Sequence, residues 1–249
     1  MQHKKKEEYI YGTRAIIEAI QAGKEIEKLL VQKDAKNELM AELMSLCKER
    51  QLPVTRVPVE KLNRITRKNH QGTIAFISAI TYASLDHIIS STYEKGETPL
   101  LLVLDRVTDV RNFGAIARSA ECAGAHGVIV PAKGSAQINS DAVKTSAGAL
   151  HYLPVFRSPN LKETLKELQN NGIQIVACTE KGSDSLYDKD LKDPIALLMG
   201  SEEDGISNEY LRLADHMCQL PIKGKIESLN VGVAASIALY EAVRQRSVE

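Results

Sequence analysis

Leu100-Leu101-Leu102-Val103-Leu104 is an unbroken apolar run between Pro99 and Asp105, and it constrains the fold more than any other stretch of the chain. A strand with one wet face alternates polar and apolar residues. A short, wholly apolar run reads instead as a strand buried on both faces, the state of parallel strands in α/β proteins. Gly127 to Val130, Ile173 to Cys178, Ile195 to Met199 and Met217 to Leu220 are predicted as further strands, with another near Tyr152 to Phe156. Helical patterns lie between them. Phe113 to Ala123 has Phe113, Ile116, Ala117 and Ala120 on one stripe and a stop at Gly124. A helical turn near Val143 to Ala149, helices at Leu161 to Asn170 and Val231 to Arg246, and a short helix after Ser207 follow. Helices alternating with buried strands predict a parallel α/β sheet.

The first 80 residues predict a separate, small α/β unit. Tyr11 to Ala22 places Ile16, Ile17 and Ile20 on one helical face and stops at Gly23, and Lys28 to Gln32 is extended. Asn37 to Arg50 is helical through Leu39, Leu43 and Leu46, Pro53 breaks it, and Val54 to Val57 and Thr73 to Ala79 are extended. Between residues 81 and 98 the periodicity fades into Ser, Thr, Tyr and charged residues, ending in Lys95-Gly96-Glu97-Thr98-Pro99, which predicts a linker. The expected organisation is therefore 1–80, a linker 81–98, and a larger unit 99–249.

Lys plus Arg and Asp plus Glu number 32 each, which excludes a bulk polycation that coats nucleic acid but leaves room for a local basic patch. Arg56, Lys61, Arg64, Arg67 and Lys68 form such a cluster against Glu60 alone, with Arg14 and Lys4 to Lys6 adding charge. The cluster suits phosphate contact, and a solvated helix face is the competing reading. Trp is absent and Phe totals three, so recognition by shape and phosphate geometry is expected over base stacking. Cys47, Cys122, Cys178 and Cys218 are widely spaced and predict buried free thiols, not a zinc site or disulfide framework. His70, His126, His151 and His216 lack metal-ligand spacing, so no metal is expected. Met1 to Glu8 has no apolar core and no run approaches a membrane span, so a cytoplasmic protein is expected.

Three loops carry chemistry. Asn112 and Arg118 follow the strand at 100–104, at the carboxyl end where open α/β sheets bind ligands. Gly200 to Ser207 sets Glu202, Glu203 and Asp204 between Gly200 and Gly205; adjacent acids repel phosphate but suit a cationic or hydroxyl-bearing ligand. Leu220 to Asn230 precedes the small-residue turn Val231-Gly232-Val233-Ala234-Ala235, which lets a ligand or backbone approach closely, and Ser228 or Asn230 is suited to cap it. No strand is followed by G-x-G-x-x-G, and G-x-x-x-x-G-K-[ST] is absent, so a nucleotide-like ligand would be held another way.

Asn112 to Ala120, Gly200 to Ser207 and Leu220 to Ala234 resemble, in order, the three motifs of the SpoU family of RNA ribose 2′-O-methyltransferases in the trefoil-knotted SPOUT superfamily. Tyr11 to Ile20 is similar to the N-terminal RNA-binding unit of the branch that methylates a guanosine in 23S rRNA. Glu203 departs from the family pattern, which has Gly after the motif's glutamate. The resemblance implies a knotted C-terminal parallel-sheet domain behind a small N-terminal α/β unit that binds RNA, and the local positive charge suggests contact through Arg14, Arg56, Arg64, Arg67 and Lys68. It implies S-adenosyl-L-methionine held near Thr179, Gly200, Leu220, Ile222 and Leu229, with Asn112, Arg118, Glu202, Ser228 and Asn230 as the catalytic set. The implied partners are 23S rRNA or a ribosomal assembly intermediate, and a second copy of the chain. A guanidinium gives up its proton only at a large cost, so Arg118 is expected to act electrostatically while Glu202 or a water takes the proton. Methylation of tRNA, methylation of an rRNA adenosine, and a non-catalytic assembly factor are the alternatives.

Overall fold

The computed structural model describes residues 9–247, and these divide into two compact units. One comprises the chain up to Thr81 with Ile138–Ser140, the other Tyr82–Gln137 with the chain from Asp141 onward.

The first unit contains β1 (Tyr9–Tyr11), α1 (Thr13–Gln21), β2 (Ile26–Gln32), α2 (Glu38–Glu49), β3 (Val54–Val57), α3 (Val59–Ile65) and β4 (Thr73–Ile77). Its sheet has the order β1-β4-β2-β3, with β2 and β3 parallel and the other pairings antiparallel. One face packs Ile16, Ile17 and Ile20 of α1 and Met40, Leu43 and Cys47 of α2 on Ile26, Leu29 and Val31. Leu62 of α3 covers Leu30, Val57 and Ile74 on the other. Tyr11, expected at the start of α1, lies in β1 instead. Gly12, at φ 93, separates strand from helix, a conformation that costs glycine little. The α1 amino end is capped from a distance, Thr13 N–H donating to Gln71 Oε1 at 3.1 Å.

In the second unit, α4 (Leu85–Glu94), β5 (Leu100–Leu104), α5 (Val110–Cys122), β6 (Gly127–Pro131), α6 (Ser140–Thr145), β7 (Val155–Ser158) and α7 (Leu161–Asn170) come first. Then follow β8 (Gln174–Cys178), β9 (Asp184–Ser185), β10 (Ile195–Met199), α8 (Asn208–Leu211), β11 (His216–Gln219) and α9 (Val231–Arg246). Every pairing in the sheet β7-β6-β5-β10-β8-β11-β9 is parallel, as the apolar runs predicted. Strand order runs outward in opposite directions from β5 and β10, so the crevice between their carboxyl ends is a switch point, where ligands of such sheets bind.

Three expectations are corrected here. The segment 81–98 is not a plain linker: α4 is capped by Ser84 and buries Leu85, Ile88 and Ile89 in the core of the second unit. Its fourth inward position is Thr92, whose hydroxyl donates to Ile88 O at 2.7 Å, so a polar residue fills an apolar place in the helical pattern. Cys47 and Cys218 are buried as expected, but Cys122, at the end of α5, is exposed. The strand anticipated near Tyr152 also starts later, at Val155, after a single helical turn over Ala149–His151.

Candidate active site

Asp109 begins the site by capping α5. Its Oδ1 accepts from Arg111 N–H at 2.8 Å and Asn112 N–H at 2.9 Å, which fixes Asn112 in the first turn. The Asn112 side chain joins the other two loops. Its Nδ2 donates to Glu202 Oε1 at 2.5 Å, and its Oδ1 accepts from Asn230 Nδ2 at 3.1 Å. Asn230 is the cap of α9, its Oδ1 accepting from Gly232 and Val233 N–H, so the cap and the inter-loop contact use opposite ends of one amide. Among the described residues Glu202 makes no other hydrogen bond or ion pair, which leaves its second oxygen for a ligand. A cavity of about 510 Å³ opens beside this chain, lined by Arg106, Asp109, Asn112, Gly134, Glu202 and Asp204 among others.

The other two expected catalytic residues are not joined to that chain. Arg118 is exposed on α5, six residues beyond Asn112 and hence about 9 Å further along the axis. Beside it Ser119 accepts from Ser236 Oγ of α9 at 2.7 Å, so the helices bearing Arg118 and Asn230 pack together. Ser228 is exposed two residues before the cap.

Sequence reasoning missed what holds the acidic loop. Asp105, the residue after β5, is 1% exposed, and its Oδ2 accepts both the N–H (2.7 Å) and the hydroxyl (2.6 Å) of Ser207. Arg106 grips the same carboxylate through Nε and Nη2, and reaches Asp204 Oδ2 at 3.0 Å and the Gly205 carbonyl at 3.2 Å. The Asp105 bond holds the Arg106 guanidinium pKa above its usual range. Arg106 does this at φ 58, a left-handed conformation rare outside glycine, and such strain persists only where surrounding contacts enforce it. Burial, with Asp105 nearby, also raises the Tyr210 phenol pKa. Ser201 and Gly205 exchange two backbone bonds, and a Cβ at Gly200 would come within 2.1 Å of the Gly205 carbonyl carbon, so only glycine fits there. Glu203 is absent from the positive-φ residues; Gly205, at φ 66, makes the turn.

Thr179, Gly200 and Leu220 follow β8, β10 and β11 directly, at the carboxyl ends of three neighbouring strands. Ile222 and Leu229, on the loop after β11, are each 42% exposed. In the first unit Arg14 stands 3.9 Å from Glu42 and Arg56 donates to Lys33 O, while Arg64, Arg67 and Lys68 are exposed on α3 and the loop after it. Lys4 to Lys6 lie outside the described residues.

Residues 99–240 match the SpoU rRNA Methylase family, and residues 9–83 match the family described as RNA 2′-O ribose methyltransferase substrate binding. The chain belongs to the SpoU methylase family, with a substrate-binding unit of this class ahead of the methylase unit. It is 32% identical to the putative TrmH family tRNA/rRNA methyltransferase YacO of Bacillus subtilis, over 96% of both chains. Among solved structures it is similar to the SpoU methyltransferase AviRb of Streptomyces viridochromogenes in complex with AdoMet, at 30% identity and a TM-score of 0.61, covering 96% of this chain and 90% of that one. An AdoMet-bound rRNA methyltransferase of Sinorhizobium meliloti gives 27% identity and a TM-score of 0.59, covering 95% and 86%.

Proposed function

We propose that this protein is a cytoplasmic enzyme that transfers a methyl group from S-adenosyl-L-methionine to the ribose 2′-hydroxyl of a guanosine in 23S rRNA. The observation that carries this is the hydrogen-bonded chain Glu202–Asn112–Asn230, which ties all three family motifs together at the switch point of the parallel sheet. The methylase match, and solved relatives described with AdoMet, support the chemistry.

The cofactor's fit rests on the strand ends. Thr179, Gly200 and Leu220 present backbone from three adjacent strands, and Ile222 and Leu229 add apolar side chains to seat an adenine. The last third of the chain, threaded through a loop, would wrap this seat. The bound group supplies an electrophilic methyl on a cationic sulfonium, a charge that Glu202, Glu203 and Asp204 complement. Glu202, oriented by the Asn112 amide, would take the proton of the 2′-hydroxyl through its free oxygen. Arg118 holds the neighbouring phosphate and stabilises the developing alkoxide. Ser228 orients the ribose. Opposite charges vanish in the step, so excluding water favours it.

Exposed Ile222, Ile226, Leu229, Val233 and Tyr240 crowd the loop after β11 and α9, and a second copy of the chain would cover them. The test is methyl transfer from labelled S-adenosyl-L-methionine to protein-free 23S rRNA and to bulk tRNA. The reading expects label in 23S rRNA, lost by 100-fold or more in rate, on the order of 3 kcal/mol, with Arg118→Ala while cofactor binding survives. Label in tRNA would transfer the reading to the tRNA enzymes that share the relatives' naming. Cofactor binding without transfer to either RNA, or to assembly intermediates, would leave a non-catalytic factor.

A further inference from the structure

The first unit carries an aromatic strip that its composition hides. Tyr9 and Tyr11 alternate onto one face of β1, and Phe76 of β4 lies directly across from Tyr9 in the antiparallel register. Ring centroids are 6.3 Å apart for Tyr9 and Tyr11 and 6.1 Å for Tyr9 and Phe76. The remainder of this face is sealed by α3, but β1 is an edge strand and all three rings stay half-buried. Lys61 and Arg64 of α3, with Arg67 and Lys68 in the loop after it, are exposed, and none of the four has a carboxylate partner among the described residues. Lys68 Nζ stands 5.8 Å from the centre of the Tyr11 ring, which joins the basic row to the strip.

We propose that Tyr9, Tyr11 and Phe76 form a stacking surface for unpaired bases of a single RNA strand, whose phosphates are held by Lys61, Arg64, Arg67 and Lys68. This rests on the reading above that the chain works on RNA, and it specifies the form of RNA that the first unit takes. Planar rings beside unpaired cations match a polyanion that carries planar rings of its own, and an acidic peptide would use only the cations. A duplex hides its base faces, so stacking selects unpaired strands with little regard to sequence. The ammonium over Tyr11 marks that ring as open. An exposed cation–π contact is weaker than base stacking, so an arriving base displaces Lys68 toward the adjoining phosphate.

The full chain is titrated with a labelled oligouridylate and with a hairpin duplex of equal length at several salt concentrations, folding being checked by circular dichroism. Paired Tyr11→Leu and Phe76→Leu should weaken oligouridylate binding on the order of tenfold or more while leaving duplex binding and the salt slope in place. Tyr11→Phe should retain wild-type binding. Paired Arg64→Gln and Arg67→Gln should weaken both RNAs and flatten the salt slope. If the leucine pair does not fold, Tyr11→Leu alone is judged by the same criterion, at a loss of threefold or more. Unchanged oligouridylate binding with the aromatic rings removed, or an equal loss on the duplex, overturns the stacking surface while RNA binding through the arginines stands. Absence of binding to either RNA by the unaltered protein would instead defeat the RNA reading itself.

Discussion

Asp105 shows how much can hang on one side chain. Its buried carboxylate holds the start of α8 through Ser207 and orders Arg106, which in turn grips the acidic loop through Asp204 and the Gly205 carbonyl. Asp105→Ala would orphan these donors, so a loss of about 2–4 kcal/mol is expected in urea unfolding, with weakened methyl transfer because Glu202 rides on the same loop. A stability equal to the unaltered protein would show that the latch is ornamental. Asn112, Glu202 and Asn230 were legible because amides and acids in loops at strand ends stand out locally. Asp105 was not, since a carboxylate after a strand reads as an ordinary turn residue and its burial depends on a loop about a hundred residues later. The Tyr9–Phe76 pair is hidden for the same reason: the two residues meet only once β1 and β4 have paired.

Among the elements, α9 is fixed at both ends. Asn230 caps its start, and at its finish Arg246 donates to the carbonyls of Thr98, Pro99, Leu191 and Asp193 while Gln245 exchanges bonds with Lys189 and Leu191. Arg246→Ala removes all four Arg246 bonds and should lower the thermal midpoint, at about 2–3 kcal/mol, even though the residue lies far along the helix from Asn230. Glu241 is 7% exposed, accepts from Arg244 and Gln245, and has its carboxyl pKa held below the usual range, first by the Arg244 bond. A carboxyl depressed by folding stabilises above its unfolded pKa, and that contribution is lost as pH falls through the folded value. The stability gap between the unaltered protein and Glu241→Gln should therefore shrink on acidification below the ordinary carboxylate range; a gap independent of pH would rule this out. Helix α9 was read from the sequence with the bounds it has, because Asn230 caps its start and no proline interrupts it before Arg246. Helix α4 was not, because its pattern includes Thr92 and is diluted by Ser90 and Ser91, whose hydroxyls bond back to the helix carbonyls.

For the molecule as a whole, the exposed apolar residues of the loop after β11 predict self-association. Paired Ile226→Asp and Leu229→Asp should shift the protein to a monomer in sedimentation, with cofactor affinity falling alongside because Leu229 is shared by both proposed surfaces; an unaltered sedimentation coefficient would separate the two. The parallel α/β plan was legible in the apolar runs, but the neighbour of each strand was not, since nothing local says that β5 pairs with β10. That pairing sets a schedule. Leu100 must find Ile195, 95 residues later, and synthesis at about 5–20 residues per second puts that partner roughly 5–19 seconds behind. Strand β6 guards one edge of β5 meanwhile, and the other, wholly apolar, waits unpaired. For a nascent chain, the central seam of the sheet thus stays open until β10 is made, and until then it offers an apolar edge to a chaperone or to a neighbour on the same message.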